Sequence, residues 1–183
     1  MIYLLTILAG ILSWSFAEYG LHNWYGHVAK GKNDFSREHL THHARKGYFA
    51  PAKKKARLAI PVALMAILIS SQFVGFWMGL LYTISFISTY LAYEHFHYVM
   101  HTYPPRNDIG SYLRKHHFYH HFHNPWKNHG VTSPIWDMVF RTYEKTVKIR
   151  VPESHVLDWL MDPQTGEIAG RFAQDYEIIR YKK

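Results

Sequence analysis

Ten of the 15 histidines in this chain fall into four short clusters, and these residues have the types and spacing that could do chemistry. Two clusters are pairs, spaced HxxxxH and HxxxH, and two are triplets, spaced HxxHH. In chain order the members are His22 and His27; His39, His42 and His43; His97 and His101; and His117, His120 and His121. Neutral imidazole is the commonest metal ligand in proteins. The clusters therefore predict a metal site built from histidine.

The spacing within each cluster predicts how its imidazoles point. On a helix, residues i, i+3 and i+4 share one face, so each HxxHH triplet presents three imidazoles, a face wide enough to serve two neighbouring metals. His97 and His101 form an i, i+4 pair. His22 and His27 are about 140° apart on a regular α-helix, so they converge only if the helix ends or bends between them, for which Gly26 offers a place. Ten ligands suit two ions at five or six bonds each, counting water or oxygen.

The roles predicted for the other five histidines lie outside the main set of metal ligands. One alternative register for the last cluster uses His116, His120 and His123, at i, i+4 and i+7. His95 is predicted either to support a ligand imidazole from behind or simply to pack, and His129 to orient a ligand or substrate through a hydrogen bond. His155, far along the chain, is predicted to be an ordinary surface residue.

Composition narrows the kinds of chemistry and of binding partner that this protein could have. The chain has no cysteine, which excludes disulfides, thiolate ligands, iron–sulfur clusters and thiol catalysis. The net charge is +8, and every Lys and Arg lies in residues 30–57 or 106–183. Because basic residues collect on the cytoplasmic side of membrane proteins, this distribution favours membrane topology and headgroup attraction over nucleic-acid binding.

Long uncharged segments must position the clusters. The run from Leu58 to Tyr93 contains no charged residue and predicts two short membrane spans, with a turn at Ser70-Ser71-Gln72. Ile2 to about Trp24 predicts a first span; a signal peptide is disfavoured because no basic residue precedes the apolar core. Three spans bring both basic regions and all four clusters to the cytoplasmic face.

The fold class expected is therefore all-α: an integral, multi-pass membrane protein with about three short transmembrane helices, one plus a hairpin. A cytoplasmic helical cap would carry the histidine-rich dimetal site. We expect a single domain over residues 1–183, with a core at 18–143 and a polar tail at 144–183. A short helix around 153–161 is predicted to pack under the cap.

The order HxxxxH, HxxHH, HxxxH, HxxHH resembles the membrane-bound fatty acid hydroxylase and sterol desaturase superfamily. Residues 130–142, GVTSPIWDMVFRT, and 93–98, YEHFHY, resemble segments of its fatty acid hydroxylase branch. The resemblance covers roughly residues 18–143. Glu94 stands where aspartate is often expected, and Arg141 where glycine is common, so the subfamily stays open.

The resemblance implies an oxygen-dependent enzyme that uses two iron ions, held by the ten clustered histidines, to hydroxylate a C–H bond of a lipid acyl chain. Electrons would come from an external donor, a small redox protein with its reductase. Imidazole alone does not select iron, and zinc is a possible substitute after purification; iron is favoured because attack on an alkyl C–H bond needs a redox metal. Glu94 and Asp137, and also Glu18, are candidates to hydrogen-bond ligand imidazoles and fix their tautomers.

Other functions stay open at this point. The small size and histidine order also resemble carotenoid ring hydroxylases, and a sterol-type desaturase or oxidase belongs to the same superfamily. The GVTSPxWD segment favours acyl lipids. A membrane metal-binding protein without turnover is the alternative outside the enzymes. The partners expected are a lipid substrate, the bilayer and the electron donor, with no nucleic acid.

Overall fold

The fold was obtained as a computed structural model, which describes residues 1–180. These residues are mostly helical, as the apolar segments and histidine spacings predicted. The elements in chain order are α1 (Ile2–Gly20), a π-helix (Leu21–Val28), α2 (Asp34–Ala44), α3 (Ala52–Val74), α4 (Phe76–Thr102), α5 (Asp108–Phe122), α6 (Ile135–Val139), β1 (Ile149–Pro152) and β2 (Tyr176–Ile179). The chain divides into two compact units, one of residues 1–18 and 50–95 and one of 19–49 and 96 onwards.

The first unit contains the apolar helices. Among the described residues, two helical stretches are long and apolar enough to cross a membrane, Ile2–Val28 and Ala52–Val74. No residue of α3 is buried within the protein, so its apolar side chains form a surface suited to lipid. These helices indicate a membrane protein. The third predicted span corresponds to the first part of α4, which is 27 residues long but is not one of these two stretches, and the count of three spans stays a prediction.

Aromatic packing joins α1 to α4 inside this unit. The ring of Trp14 lies 5.4 Å from that of Phe86, edge to face, and 4.9 Å and 5.6 Å from those of Tyr90 and Tyr93. Aromatic pairs at these separations contribute beyond their buried area, so Trp14 anchors α1 on α4.

The predicted turn at Ser70-Ser71-Gln72 is wrong. Helix α3 continues through these residues to Val74, and the turn falls at Gly75, whose φ is 79°. Serine is compatible with the helix because its hydroxyl bonds a carbonyl one turn back, as Ser70 Oγ does to Ala66 O at 2.6 Å. Glycine alone adopts the left-handed backbone without steric cost, which fixes the turn at Gly75.

The tail corrects the all-α prediction. Strands β1 and β2 form a two-stranded parallel sheet, with Ile149 opposite Tyr176 and Val151 opposite Ile178. Ile149 and Val151 are buried while Arg150 between them is exposed, the period of two that defines a strand with one face in a core. The four-residue alternation is too short to be distinguished from loop in the sequence.

The predicted helix at 153–161 is also wrong. Two single 3₁₀ turns occupy this stretch, Glu153–His155 and Asp158–Leu160, with extended backbone at Val156 and Leu157 between them. Extended backbone lets both of these side chains, together with Leu160, enter one hydrophobic core with Phe118 of α5. The tail is therefore not a polar appendage but the packing partner of a helix that carries three of the clustered histidines.

Candidate metal centre

The first histidine pair is aligned by a π-helix. In this helix hydrogen bonds run five residues back, so residues five apart lie one above the other. His22 and His27 consequently share a face of Leu21–Val28, and both are buried. The expectation that the helix ends or bends at Gly26 is wrong, because the helix widens instead. Gly26 has a different role: a Cβ there would come within 3.0 Å of His39 Cδ2, so glycine permits close approach of α2.

Helix α2 is fixed against this π-helix at its N-terminus. The side chain of Asn33 caps α2 by accepting a hydrogen bond from the backbone N–H of Ser36, at 2.7 Å. The buried Ser36 hydroxyl in turn donates to the carbonyl of Gly26 and accepts from the N–H of Gly31. These bonds fix the position of the N-terminus of α2 relative to the π-helix. The next turns of α2 carry the second histidine cluster.

One set of five imidazoles, which we call cluster A, gathers where the π-helix, α2 and α5 meet. Each member offers one ligand atom, and these five atoms lie within 4.8 Å of one another. The Nε2 atom of His120 lies 2.8 Å from that of His22, 2.9 Å from that of His27 and 3.2 Å from that of His43. Nε2 of His39 lies 2.8 Å from Nε2 of His27. Cluster A therefore comprises His22, His27, His39, His43 and His120.

The remaining five clustered histidines form cluster B, whose ligand atoms also lie within 4.8 Å of one another. Here Nε2 of His97 is 3.1 Å from that of His42 and 3.0 Å from that of His117, which is 3.0 Å from that of His101. Cluster B comprises His42, His97, His101, His117 and His121. All ten histidines singled out in the sequence are thus brought into two sets of five.

Each HxxHH motif divides between the clusters. In α2, His39 and His43 belong to cluster A and His42 to cluster B. In α5 the division is reversed, with His117 and His121 in cluster B and His120 in cluster A. The i, i+4 pair of each triplet thus serves one cluster and its third histidine the other. A three-imidazole face that serves two neighbouring sites is the arrangement the spacing predicted.

Backbone carbonyls fix the tautomer of one histidine in each cluster. Nδ1 of His42 donates to the carbonyl of Tyr48 at 2.7 Å, and Nδ1 of His120 donates to the carbonyl of Lys127 at 2.8 Å. A carbonyl only accepts, so the proton must lie on Nδ1 and the Nε2 lone pair faces the cluster. Sequence reasoning missed these two contacts because a backbone acceptor has no residue signature.

The geometry fits a metal ion in each cluster. Bonds of about 2.1 Å from metal to imidazole nitrogen, at right angles, separate adjacent ligand nitrogens by roughly 3.0 Å. The Nε2 separations of 2.8–3.2 Å in both clusters match this spacing. Several lone pairs converging on one point repel one another unless a cation lies between them. The donor set, ten nitrogens with no thiolate, suits iron, zinc or copper.

The clusters hold their histidines in the neutral state that metal binding requires. Burial, followed by repulsion from neighbouring imidazoles, lowers the pKa of His39, His117 and His121 well below the ordinary value. The same causes lower the pKa of His43 and His120. The nitrogens are therefore unprotonated at neutral pH and ready to bind a cation.

Of the three predicted carboxylates, Glu94 and Asp137 have partners other than the ten clustered imidazoles, and Glu18 is buried. Glu94, in the first unit, forms an ion pair with Lys55 at the start of α3. Asp137 is fully buried and accepts hydrogen bonds from Nε2 of His116 at 3.0 Å and from Thr142 Oγ1 at 2.7 Å. Asp137 also accepts from the backbone N–H groups of residues 129 and 130, each at 2.8 Å. Its role is to hold the loop that surrounds it.

These bonds also set the charge of Asp137. Burial alone raises the pKa of a carboxyl group, but the hydrogen bonds from His116, Thr142 and the N–H of Gly130, together with the close approach of His129, outweigh it and hold the pKa well below the usual range. A carboxylate that accepts this many bonds stays ionised although it is buried.

The remaining histidines separate into distinct roles. His116 bonds Asp137, and Nε2 of His123 accepts from the backbone N–H of Arg150 at 2.9 Å, so the alternative register through these two residues is wrong. His95 is exposed. Nε2 of His155 lies 3.2 Å from the carbonyl of Ala44, a contact between the tail and the end of α2. His129 is fully buried beside cluster A, its ring 5.1 Å from that of His120.

Comparison with known proteins agrees with this geometry. The chain is 29% identical over 149 residues to a dihydroceramide fatty acyl 2-hydroxylase of Arabidopsis thaliana, covering 75% of this chain and 60% of that protein. It is 30% identical over 151 residues to a ceramide very long chain fatty acid hydroxylase of Saccharomyces cerevisiae, covering 73% of this chain and 36% of that protein. The chain thus spans about 60% or less of the length of these relatives.

A solved structure shares the fold. Full-length scs7p, of which only the hydroxylase domain is visible, matches with a TM-score of 0.62 at 22% identity, over 78% of this chain and 57% of that chain. A family model described as fatty acid hydroxylase matches residues 7–142, a range that contains all ten clustered histidines. The resemblance found in the sequence is confirmed, and the chain belongs to the fatty acid hydroxylase family.

Proposed function

We propose that this protein is a membrane-bound di-iron oxygenase that hydroxylates a C–H bond of a lipid acyl chain, using O₂ and electrons from an external donor. The observation that carries the proposal is the pair of five-imidazole clusters, in which the ligand nitrogens lie at separations expected around a metal ion. Cluster A would hold one ion and cluster B the other. No carboxylate takes part in either cluster, which distinguishes the site from the carboxylate-rich di-iron centres of soluble helical bundles.

Iron is the metal whose chemistry suits the reaction. Bound iron would supply the redox chemistry that activates oxygen against an unactivated C–H bond, which neither an acid, a base nor zinc can attack. The protein's own contribution is to hold ten imidazole nitrogens in place and to keep water away. His22, His117 and His120 are 3% exposed or less, so they reach the clusters without a hydration shell.

The substrate proposed is an acyl chain linked to a sphingolipid, because the relatives named above are hydroxylases of ceramide and dihydroceramide acyl chains. The first unit offers a feature that suits such a chain. A groove of about 450 Å³ lies between α3 and α4, lined largely by apolar side chains that include Val62, Met65, Ile69 and Phe86. These relatives favour an acyl lipid over a carotenoid ring or a sterol.

The membrane arrangement belongs to the same proposal. The protein would be multi-pass, with three spans and with the metal site on the cytoplasmic face, because both basic regions then lie on the cytoplasmic side. Electrons would come from a separate small redox protein and its reductase.

Lipid mass spectrometry under ¹⁸O₂ tests the proposal. The chain and its His120→Ala variant are expressed in a host that makes ceramides but lacks an acyl hydroxylase, and acyl chains are analysed for one added ¹⁸O. We expect the label with the wild-type chain and not with His120→Ala. The exposed His95→Ala is the matched control and should retain activity. Equal labelling with His120→Ala, or no labelling by the well-expressed wild-type chain, would contradict the proposal.

A further inference from the structure

His129 is an eleventh imidazole placed against cluster A. It is fully buried, and its ring centroid lies 5.1 Å from that of His120, 5.7 Å from that of His22 and 5.9 Å from that of His27. Pairs of rings within cluster A are themselves 4.4–6.4 Å apart, so His129 is as near to these three as they are to the other members. The ring of Tyr19 also lies beside it, at 5.6 Å.

Both ring nitrogens of His129 are buried. Among the described residues Nε2 has no hydrogen-bond partner, and Nδ1 has only a long contact of 3.5 Å with Oδ1 of Asp137. A buried polar nitrogen without a partner costs about 1–3 kcal/mol. His129 also lies outside the set of five whose ligand atoms are mutually within 4.8 Å. The position therefore suits a contact with a small molecule held at the cluster better than direct metal ligation.

The contact with Asp137 determines which ring nitrogen of His129 can accept a hydrogen bond. Nδ1 lies 3.5 Å from Oδ1 of Asp137, and the same carboxylate binds the backbone N–H of His129 at 2.8 Å. A carboxylate has only acceptors, so the proton of the neutral ring is favoured on Nδ1. The Nε2 atom, on the far side of the ring from Asp137, then carries the lone pair and can accept a hydrogen bond.

A chain of hydrogen bonds holds Asp137 in this position. Thr142 Oγ1 donates to Asp137, so it must accept from the hydroxyl of Tyr19, 3.1 Å away. Tyr19 in turn accepts from the amide of Asn23 at 2.9 Å, and Asn23 directly follows the cluster A residue His22. The donor and acceptor of each bond in this network are thus assigned. The network connects the π-helix to Asp137, the carboxylate next to His129. Sequence reasoning missed Tyr19, Asn23 and Thr142, which carry no spacing signal.

We propose that His129 is a positioning residue of cluster A, whose Nε2 accepts a hydrogen bond from a water molecule held by the metal in that cluster. Cluster B has no equivalent imidazole among residues 1–180, so the two clusters differ in how they hold a small ligand. This inference rests on the metal loading proposed above.

Azide binding to the Co(II)-loaded protein tests this role, because azide must displace the water and cannot donate a hydrogen bond to Nε2. Metal per chain is measured first, for the wild type, His129→Phe, His129→Gln and the control His155→Phe. We expect two Co(II) ions per chain in all four. Loss of one hydrogen bond to the water should tighten azide binding to His129→Phe about fivefold, seen in the visible spectrum of the cobalt.

The variants separate the possible outcomes. His129→Gln, whose side-chain oxygen can still accept, should bind azide like the wild type, and so should His155→Phe. If His129→Phe does not fold, His129→Ala takes its place with the same expectation. Unchanged azide affinity at two ions per chain would overturn the role of His129 alone. A fall to one ion would make His129 a ligand instead, and fewer than two ions in the wild type would overturn both this inference and the proposed metal site.

Discussion

Gly26 and His39 lie in direct contact between the π-helix and α2, where a Cβ on residue 26 would come 3.0 Å from Cδ2 of His39. The same added carbon would lie 3.1 Å from the carbonyl oxygen of Leu21. The carbonyl of Leu21 belongs to the backbone and cannot move aside as a flexible side chain can. An atom added at residue 26 must therefore displace the imidazole of His39. The absence of a side chain at Gly26 is therefore part of how cluster A is assembled.

Gly26→Ala should weaken metal binding at cluster A. Crowding in a packed site costs about 1–3 kcal/mol, which corresponds to a loss of affinity of roughly 5- to 150-fold if it falls on the His39 contact. Competitive metal titration of the purified protein measures this. Gly170→Ala is the matched control, because a Cβ at Gly170 meets no atom within 4 Å. Equal affinities for the two variants would refute the steric role of Gly26.

His42→Ala and His43→Ala should affect different metals although the residues are adjacent. His42 belongs to cluster B and His43 to cluster A, so each variant leaves one complete set of five imidazoles. We expect each to retain about one tightly bound iron per chain, with different Mössbauer spectra for the iron that remains. His95→Ala should keep both ions. Identical residual spectra in the two variants would show that the triplet does not divide between two sites.

Asp137→Asn should destabilise the protein, with a loss that depends on pH. Removing one partner of a buried charged network costs roughly 3 kcal/mol. Because hydrogen bonds hold the folded-state pKa of Asp137 below its unfolded value of about 3.9, the carboxylate stabilises the fold fully above that pH and progressively less below it. The difference in unfolding free energy between wild type and Asp137→Asn should therefore be largest at neutral pH and shrink as the pH falls below about 4. Tryptophan fluorescence during denaturant unfolding reports it, and a difference that grows in acid would contradict the assignment.

Leu160→Ala should show that the tail is part of the fold that carries the metal site. Leu160 is fully buried in the core that contains Phe118, one residue from His117. A buried leucine truncated to alanine costs about 2–5 kcal/mol, measured as a lower midpoint of unfolding. Met161→Ala, at a residue 37% exposed, is the neighbouring control and should change stability little. A Leu160→Ala variant as stable as Met161→Ala would mean that the tail core contributes nothing.

Spacing in the sequence was enough to find the ten clustered histidines but not the way that each pair is aligned. The i, i+3 and i+4 relations of His39, His42 and His43 are properties of a regular helix, so their division between two sites could be anticipated. His22 and His27 meet only because the helix between them takes π geometry, which reflects tertiary contacts with α2 rather than a residue preference. For His129 the sequence predicted a hydrogen-bonding role, but not burial against cluster A, because no spacing relates residue 129 to the histidines of that cluster.

The tail was difficult to predict for a related reason. Its strand Ile149–Pro152 is too short for alternation to be distinguished from loop, and its partner, β2, lies more than 20 residues further along the chain. The apolar residues Val156, Leu157 and Leu160 favoured a helix when considered alone. They instead pack with Phe118 in one core, and no local pattern connects them to that residue. The partners of Asp137 were missed in the same way, since the loop around it brings together residues 116 to 142.

The most direct measurement of the central claim is the number of iron ions held by the purified full chain after anaerobic loading with Fe(II) and removal of loosely bound metal. Two clusters of five imidazoles predict two ions per chain. One ion, or none, in protein shown to be folded would contradict the assignment of these ten histidines to a pair of metal sites.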